Sequence, residues 1–197
     1  RPRPGPTGCG TRAGRRTRKP AWRPGRYELG SFVKNIRNWK AYDHKGNLLA
    51  SKKVEKDRWQ VNTKNISTII IKYEVYANLL NAGSTYLDDS QLYMNPVNCC
   101  CFAEGWENER CEMTLDVPKD YKIATGLEKS TENPHTLSAP NFDQLADRPL
   151  IASNQLKHIH FKVSDLLVNL WFVGECKIDK IRLTNDFSRF IEEQIES

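Results

Sequence analysis

At 197 residues the chain is long enough for one ordinary domain and part of a second, with a core worth burying. It holds no run of about 18 apolar residues, which excludes a membrane-crossing helix. The net charge of +6 raises nucleic acid as a partner, but seven bases and no acid stand in residues 1–19 (Arg1, Arg3, Arg12, Arg15, Arg16, Arg18, Lys19). Residues 20–197 carry the remaining 23 bases against 24 acids, a net −1.

That tail is rich in Pro and Gly and poor in apolar residues, so it cannot offset its ordering entropy and is expected to be disordered. It would touch phosphates without sequence preference. No base-reading module follows and no aromatic residues interleave with its charges, so neither a specific nucleic-acid partner nor a membrane partner is expected.

From Trp22 onward the pattern is short strands between turns. Trp22-Arg23-Pro24-Gly25-Arg26-Tyr27 reads as a turn, with Pro setting one backbone angle and Gly allowing another. Residues 32–42 follow as a strand carrying Phe32, Ile36 and Trp39. Asp43-His44-Lys45-Gly46-Asn47 is a hairpin loop that leads into Leu48-Leu49 and on to a second strand through Trp59-Gln60-Val61. Residues 68–76 give the strongest strand signal, with Ile71, Tyr73 and Val75 alternating against Lys72, Glu74 and Tyr76.

Residues 92–102 and 111–117 supply two more strands, the second with Cys111, Met113, Leu115 and Val117 on one face. Residues 128–140 are polar, contain Pro134 and Pro140, and read as a loop. Residues 141–145 form a short helical turn that closes before Pro149. Residues 158–163 and 166–173 make a final hairpin around Ser164-Asp165. After Gly174 the period changes: Ile178, Ile181, Leu183, Phe187, Phe190, Ile191 and Ile195 recur at helical steps. The fold class is mostly β, a β-sandwich-like domain with a C-terminal helix that begins a helical domain.

Few residues carry chemistry. The cysteines at 9, 99, 100, 101, 111 and 176 contain no Cys-x-x-Cys pair, and three in a row cannot share one strand face. They read as buried small hydrophobes in a thiol-tolerant setting, with metal and disulfide chemistry as the alternative. His158-x-His160 puts two imidazoles on one strand face, a spacing zinc can use, but no third ligand accompanies it at short range. Asp88-Asp89 and the acids from Asp143 to Asp147 read as surface charge and caps. Ser84, Ser153 and Ser164 lack a nucleophile-elbow context.

A set of short motifs recurs in a particular order: Trp22-x-Pro24-Gly25-x-Tyr27, Lys34-Asn35-Ile36, Ala41-Tyr42-Asp43-x-x-Gly46 and Trp59-Gln60-Val61. They continue through Tyr73-Glu74-Val75-Tyr76-Ala77, Tyr86-Leu87-Asp88-Asp89, Asn95-Pro96, residues 123–127 and residues 143–149. In this order the chain resembles the N-terminal domain of the glycyl aminopeptidase family, the sixty-first family of zinc metallopeptidases. The resemblance implies an accessory β domain that packs on its own catalytic domain and borders a cleft for peptide substrate.

It also implies that zinc sits in that catalytic domain on His-Glu-x-x-His, where two imidazoles a turn apart hold the metal and the Glu activates its water. The pentad is absent here, where the histidines are His44, His135, His158 and His160. No catalytic residue, metal ligand or cofactor is therefore assigned to this chain, and no peptidase activity is expected of it alone. The implied organisation is a non-native basic tail over 1–19, the β domain over 20–176, and over 177–197 the helix that starts the missing catalytic domain.

By analogy of chain position, Tyr93, Asn95 and Asn98 are the candidates for lining the substrate cleft, with a plain turn as the alternative. The family carries two strands before the Trp-Arg-Pro-Gly turn. The basic tail stands in their place, which implies an altered start and an unpaired sheet edge. Gly30, with Ser31 beside it, stands where many relatives carry Arg, so an ion pair made there by relatives is absent. The rival functional readings are a free-standing β-sandwich module for peptide or carbohydrate, and a nucleic-acid binder acting through the tail.

Overall fold

The computed structural model describes residues 14–20 and 32–196. The expected turn at 22–27, the Gly30-Ser31 departure and most of the basic tail lie outside the described residues.

β1 (Arg15–Arg18) opens the described chain, and Phe32–Asn35 form one 3-10 turn before β2 (Ile36–Asp43). The hairpin loop at 43–47 is present: the Asp43 carboxylate accepts from the backbone N–H groups of Lys45 and Asn47, while Gly46 supplies a φ of 85°. Leu48 and Leu49 do not extend this loop into a strand; Leu48 makes only an isolated bridge to Tyr42. β3 (Ser51–Glu55) and β4 (Arg58–Val61) follow, and the partner of β2 is the later β5 (Ile69–Val75). A bulge between Arg37 and Lys40, with Asn38 at a φ of 54°, kinks the β2–β5 ladder. The alternation expected of β5 is observed, since Ile71, Tyr73 and Val75 are half-buried and Lys72 and Glu74 exposed.

β6 (Tyr86–Leu87) and β7 (Gln91–Met94) precede a single helical turn, α1 (Pro96–Cys99), and then β8 (Phe102–Ala103). The continuous strand expected over 92–102 is therefore wrong. Pro96 has no N–H to give a ladder, and its fixed φ suits the first helical position, so the chain turns there. β9 (Cys111–Thr114) and β10 (Lys122–Thr125) come next, followed by β11 (Glu128–Lys129) and β12 (Thr136–Ala139) inside the segment expected to be a loop. That expectation fails because Leu137 and Ala139 find a buried face through pairing with Met113 and Cys111 of β9. α2 (Phe142–Ala146) forms where the helical turn is expected, and its cap is Asn141 rather than one of the acids, the Asn141 side chain accepting from the Gln144 N–H. β13 (Leu150–Ser153), the hairpin of β14 (Leu156–Val163) and β15 (Leu166–Val173), and α3 (Lys180–Glu196) complete the chain.

The strands form sheets in the orders β3-β4-β1-β8, β10-β13-β7-β6 and β11-β12-β9, with β2-β5 and β14-β15 as two-stranded ladders. The fold is mostly β and sandwich-like, with one long C-terminal helix. The main core lies between the second and third of these sheets. Leu137, Leu150, Ile123 and Ala152 meet Val97 of α1 and Phe142 and Leu145 of α2 there, and the Phe102 ring packs at 4.8 Å on Phe142. Trp39 stacks on Trp59 at 5.2 Å and joins the β2–β5 ladder to the first sheet.

The disorder expected of the basic tail does not extend to residues 15–19, and β1 leaves no open edge there. β1 sits inside its sheet, pairing on one side with β4 (Thr17 with Trp59) and on the other with β8 (Thr17 with Ala103). A strand this basic is stable because alternation divides its bases. Thr17 and Lys19 point inward and are buried, while Arg18 reaches Asp57 at 3.0 Å and the Arg15 guanidinium lies 4.9 Å over the Trp106 ring.

Candidate functional site

The segment Tyr93-Met94-Asn95-Pro96-Val97-Asn98 runs from the end of β7 into α1. Its backbone leaves β geometry at Asn95, which stands at the helix N-cap but makes no cap bond, so its carboxamide is available elsewhere. The Asn95 Nδ2 donates to the Ser84 carbonyl at 2.6 Å, the Asn98 Nδ2 to the Gly83 carbonyl at 2.9 Å, and the Tyr93 hydroxyl to the Ala82 carbonyl at 3.1 Å. The three sequence candidates are thus brought together on one object, the loop before β6, which they hold from beneath. Asn98 is 8% exposed, and its Oδ1 has no partner among the described residues. The same stretch of chain turns Tyr76, Leu79, Leu80 and Leu87 outward.

Beneath α1 lies a feature that local sequence gave no sign of. The Lys19 side chain is 0% exposed, and its ammonium donates at 3.5 Å to the Cys100 carbonyl, beside the three consecutive cysteines. Burial holds its pKa below the ordinary lysine value, with the neighbouring thiols opposing that shift. Burial likewise pushes the Cys100 thiol up to about 12 and raises Cys99 and Cys101. The Tyr73 hydroxyl closes the cluster by donating to the Cys99 carbonyl at 2.7 Å. Thiols in this state are protonated and poor nucleophiles, as expected of cysteines that serve as small hydrophobes. The five described cysteines are all free, and the reading of the set as buried small hydrophobes fails at Cys176, which is exposed because the segment after β15 leaves the sheets.

The His158 and His160 side chains are both solvent-exposed on β14. His158 stacks face to face on Trp171 of β15, 3.9 Å between centroids and 8° between planes, and its Nε2 shares a 2.8 Å hydrogen bond with the Asn169 Oδ1. This face of the hairpin forms one wall of an open groove of about 490 Å³. The floor is the row Ala124–Ile151–Tyr93, in register across β10, β13 and β7, and the rim is formed by Thr125, Gly126 and Pro149. Tyr93 therefore has its hydroxyl on the loop before β6 and its ring in the groove. Trp171 and Asn169 were not singled out in the sequence, because only the hairpin register places them against His158 and His160.

Comparison with protein families places these elements. The model for the Peptidase M61 N-terminal domain matches residues 13–154. The chain belongs to that family. The M61 N-terminal domain thus begins, in this chain, inside the basic tail, in agreement with the position of β1 within a sheet. Among solved structures, an aminopeptidase N family protein from Idiomarina loihiensis aligns over 95% of this chain with a TM-score of 0.85 and 30% identity. The alignment covers 32% of that protein, so this chain spans about a third of its length. Comparison with curated proteins returned no match.

Zinc, the metal implied for this family of peptidases, does not fit the histidine pair of the M61 N-terminal domain. His158 has one nitrogen committed to Asn169 and its ring to Trp171, and among the described residues no three His, Cys, Asp or Glu side chains gather as a ligand set.

Proposed function

We propose that this domain packs beside a zinc peptidase domain, shapes the cleft that receives the free amino end of a peptide, and has no peptidase activity by itself. The observation that carries the reading is the coverage: nearly the whole chain aligns with only a third of an aminopeptidase N family protein. Two features of the surface support it. α3 leaves Ile181 at 78% and Phe190 at 61% exposure, with Phe187 and Ile195 also exposed, an apolar stripe that a neighbouring domain would cover. The loop before β6 is held rigidly by Asn95, Asn98 and Tyr93, as a loop bordering a cleft must be.

Zinc chemistry belongs to the other domain in this reading, since hydrolysis needs a His-Glu-x-x-His pentad that this sequence lacks. The test is kinetic. In a full-length relative, replacing the counterpart of Asn98 by Ala should raise KM for peptides with a free amine while kcat changes less. An unchanged KM removes the cleft role. Purified 197-residue chain should neither retain zinc stoichiometrically nor release amino acids from peptides, and either result would overturn the assignment. The second reading, a free-standing binding module, draws on the groove beside Trp171; a folded monomer occurring alone in cells would favour it.

A further inference from the structure

The groove between β15 and the sheet β10-β13-β7-β6 has a composition that selects a class of ligand. Its floor is one face of a sheet whose strands β13 and β7 are each paired on both sides. The backbone groups of these two strands are used in ladders, so over the middle of the floor a ligand is recognised through side chains, while β10 and β15 at the margins are edge strands. The floor row Ala124–Ile151–Tyr93 is the face opposite the core, since the next row, Ile123–Ala152–Leu92, packs inward. Nothing inside the fold covers Ile151 fully, and it remains half-buried at the bottom of the groove.

Two aromatic rings are held in place around that floor. Tyr93 is fixed by its hydroxyl on the Ala82 carbonyl, and Trp171 by the His158 imidazole stacked on one of its faces. Fixing both rings before a ligand arrives lowers the ordering cost of binding. Among the described residues, no Lys, Arg, Asp or Glu lines the groove, and the Arg148 guanidinium beside the rim is engaged with the Gly126 carbonyl at 2.6 Å and with the Gln144 side chain, so the groove itself offers an anion no free counter-charge.

Few of the polar groups that line it are open to a ligand, chiefly the Asn169 carboxamide N–H groups and the Trp171 indole N–H. Asn169 Oδ1 is engaged with His158, and the Thr125 hydroxyl donates to the Pro149 carbonyl at 3.3 Å. A pyranose would bring several hydroxyls into a site able to answer few of them, and those turned to the floor would lose their water without a partner. A single bulky uncharged side chain brings no such debt, and a volume of about 490 Å³ has room for one with its flanking backbone.

We infer that this groove is a subsite for one aromatic or large aliphatic side chain of a peptide. The inference deepens the cleft-shaping role and rests on it for the source of the peptide, but not for the chemistry of the site.

The test uses the 197-residue chain and amide-capped single amino acids, with binding read from the NMR shift of the Trp171 indole N–H. N-acetyl-phenylalanine amide should bind at least about tenfold more tightly than N-acetyl-alanine amide, as the added apolar area requires, and N-acetylglucosamine should bind no better than the alanine amide. Ile151→Arg, on the face away from the core, should abolish the preference while leaving the circular dichroism spectrum unchanged; Trp171→Ala, read from the Gly126 backbone amide shift instead, should do the same if it folds. Equal affinity for the two amides, tighter binding of the sugar, or a preference that survives Ile151→Arg would each overturn the subsite. If the chain shows the preference but the same substitution in a full-length relative leaves KM for a phenylalanine-bearing peptide unchanged, the cleft role fails and the subsite stands.

Discussion

Removing residues 1–19 is the most informative perturbation, because a disordered tail and an internal strand give opposite results. β1 contributes four residue pairs with β4 and two with β8, and it covers one flank of Trp59 and Val61, which are 6% and 0% exposed. A fully buried side chain of this size is worth about 1.5–3 kcal/mol, and with Trp39 and β3 still covering the other flank roughly half is lost, about 2 kcal/mol for the two together. Ladder hydrogen bonds replaced by water cost a net of about 1 kcal/mol each, and three or so lost in the sheet interior add about 3 kcal/mol. The half-buried Arg18–Asp57 pair is a smaller term beside these.

Loss of the buried Lys19 ammonium returns about 1–2 kcal/mol, so the net is about 3–4 kcal/mol against a total of about 5–15 for a domain. It corresponds to a fall in Tm of roughly 6–16 °C at this chain length. Urea and thermal unfolding followed by tryptophan fluorescence would measure it, comparing the full chain with the chain lacking residues 1–19. A truncated protein with a midpoint within about 0.5 kcal/mol of the full chain, the usual range of surface changes, would refute the place given to β1. It would return the tail to the role of a loose arm.

Lys19→Met should stabilise the fold by about 1–2 kcal/mol in urea unfolding, because it removes a buried ammonium whose one described hydrogen bond is 3.5 Å long. Its folded pKa is lowered, so the unfolded chain binds more protons between the folded value and 10.5; stability of the native protein should rise with pH across that window and the variant should lose the rise. Asp88 is held at about 2, first by the N–H and hydroxyl of Ser90 and then by the Tyr86 hydroxyl, so its contribution is present above pH 3.8 and lost as the pH falls toward 2. Asp88→Asn should flatten the acid limb of stability measured between pH 5 and 2. Asn98→Ala should cost about 1–3 kcal/mol by leaving the Gly83 carbonyl unpaired, and should raise amide exchange in the loop before β6. Phe190→Lys, at an exposed helix position, should leave Tm nearly unchanged and reduce self-association in light scattering.

Where each residue's environment comes from its neighbours in sequence, the chain alone determined the outcome. The 43–47 turn, the alternation of β5, the Asn141 cap of α2, the β14–β15 hairpin and the terminal helix all follow from local backbone preference and periodicity. The ordered motifs from Lys34 to Pro149 likewise pointed to the family that the match over residues 13–154 establishes.

What sequence could not decide depended on partners far away along the chain. Arg15–Arg18 is a poor strand by composition and becomes one because Trp59, Asp57 and Ala103 lie 39 to 86 residues on. Residues 128–140 read as a loop until β9 offers Leu137 a buried face. Trp171 becomes part of a groove only once the hairpin is laid against β13 and β7. Local rules price each residue against its own neighbours, whereas burial and pairing are settled by whichever surface the fold brings up to it, and that surface exists only after the chain has closed on itself.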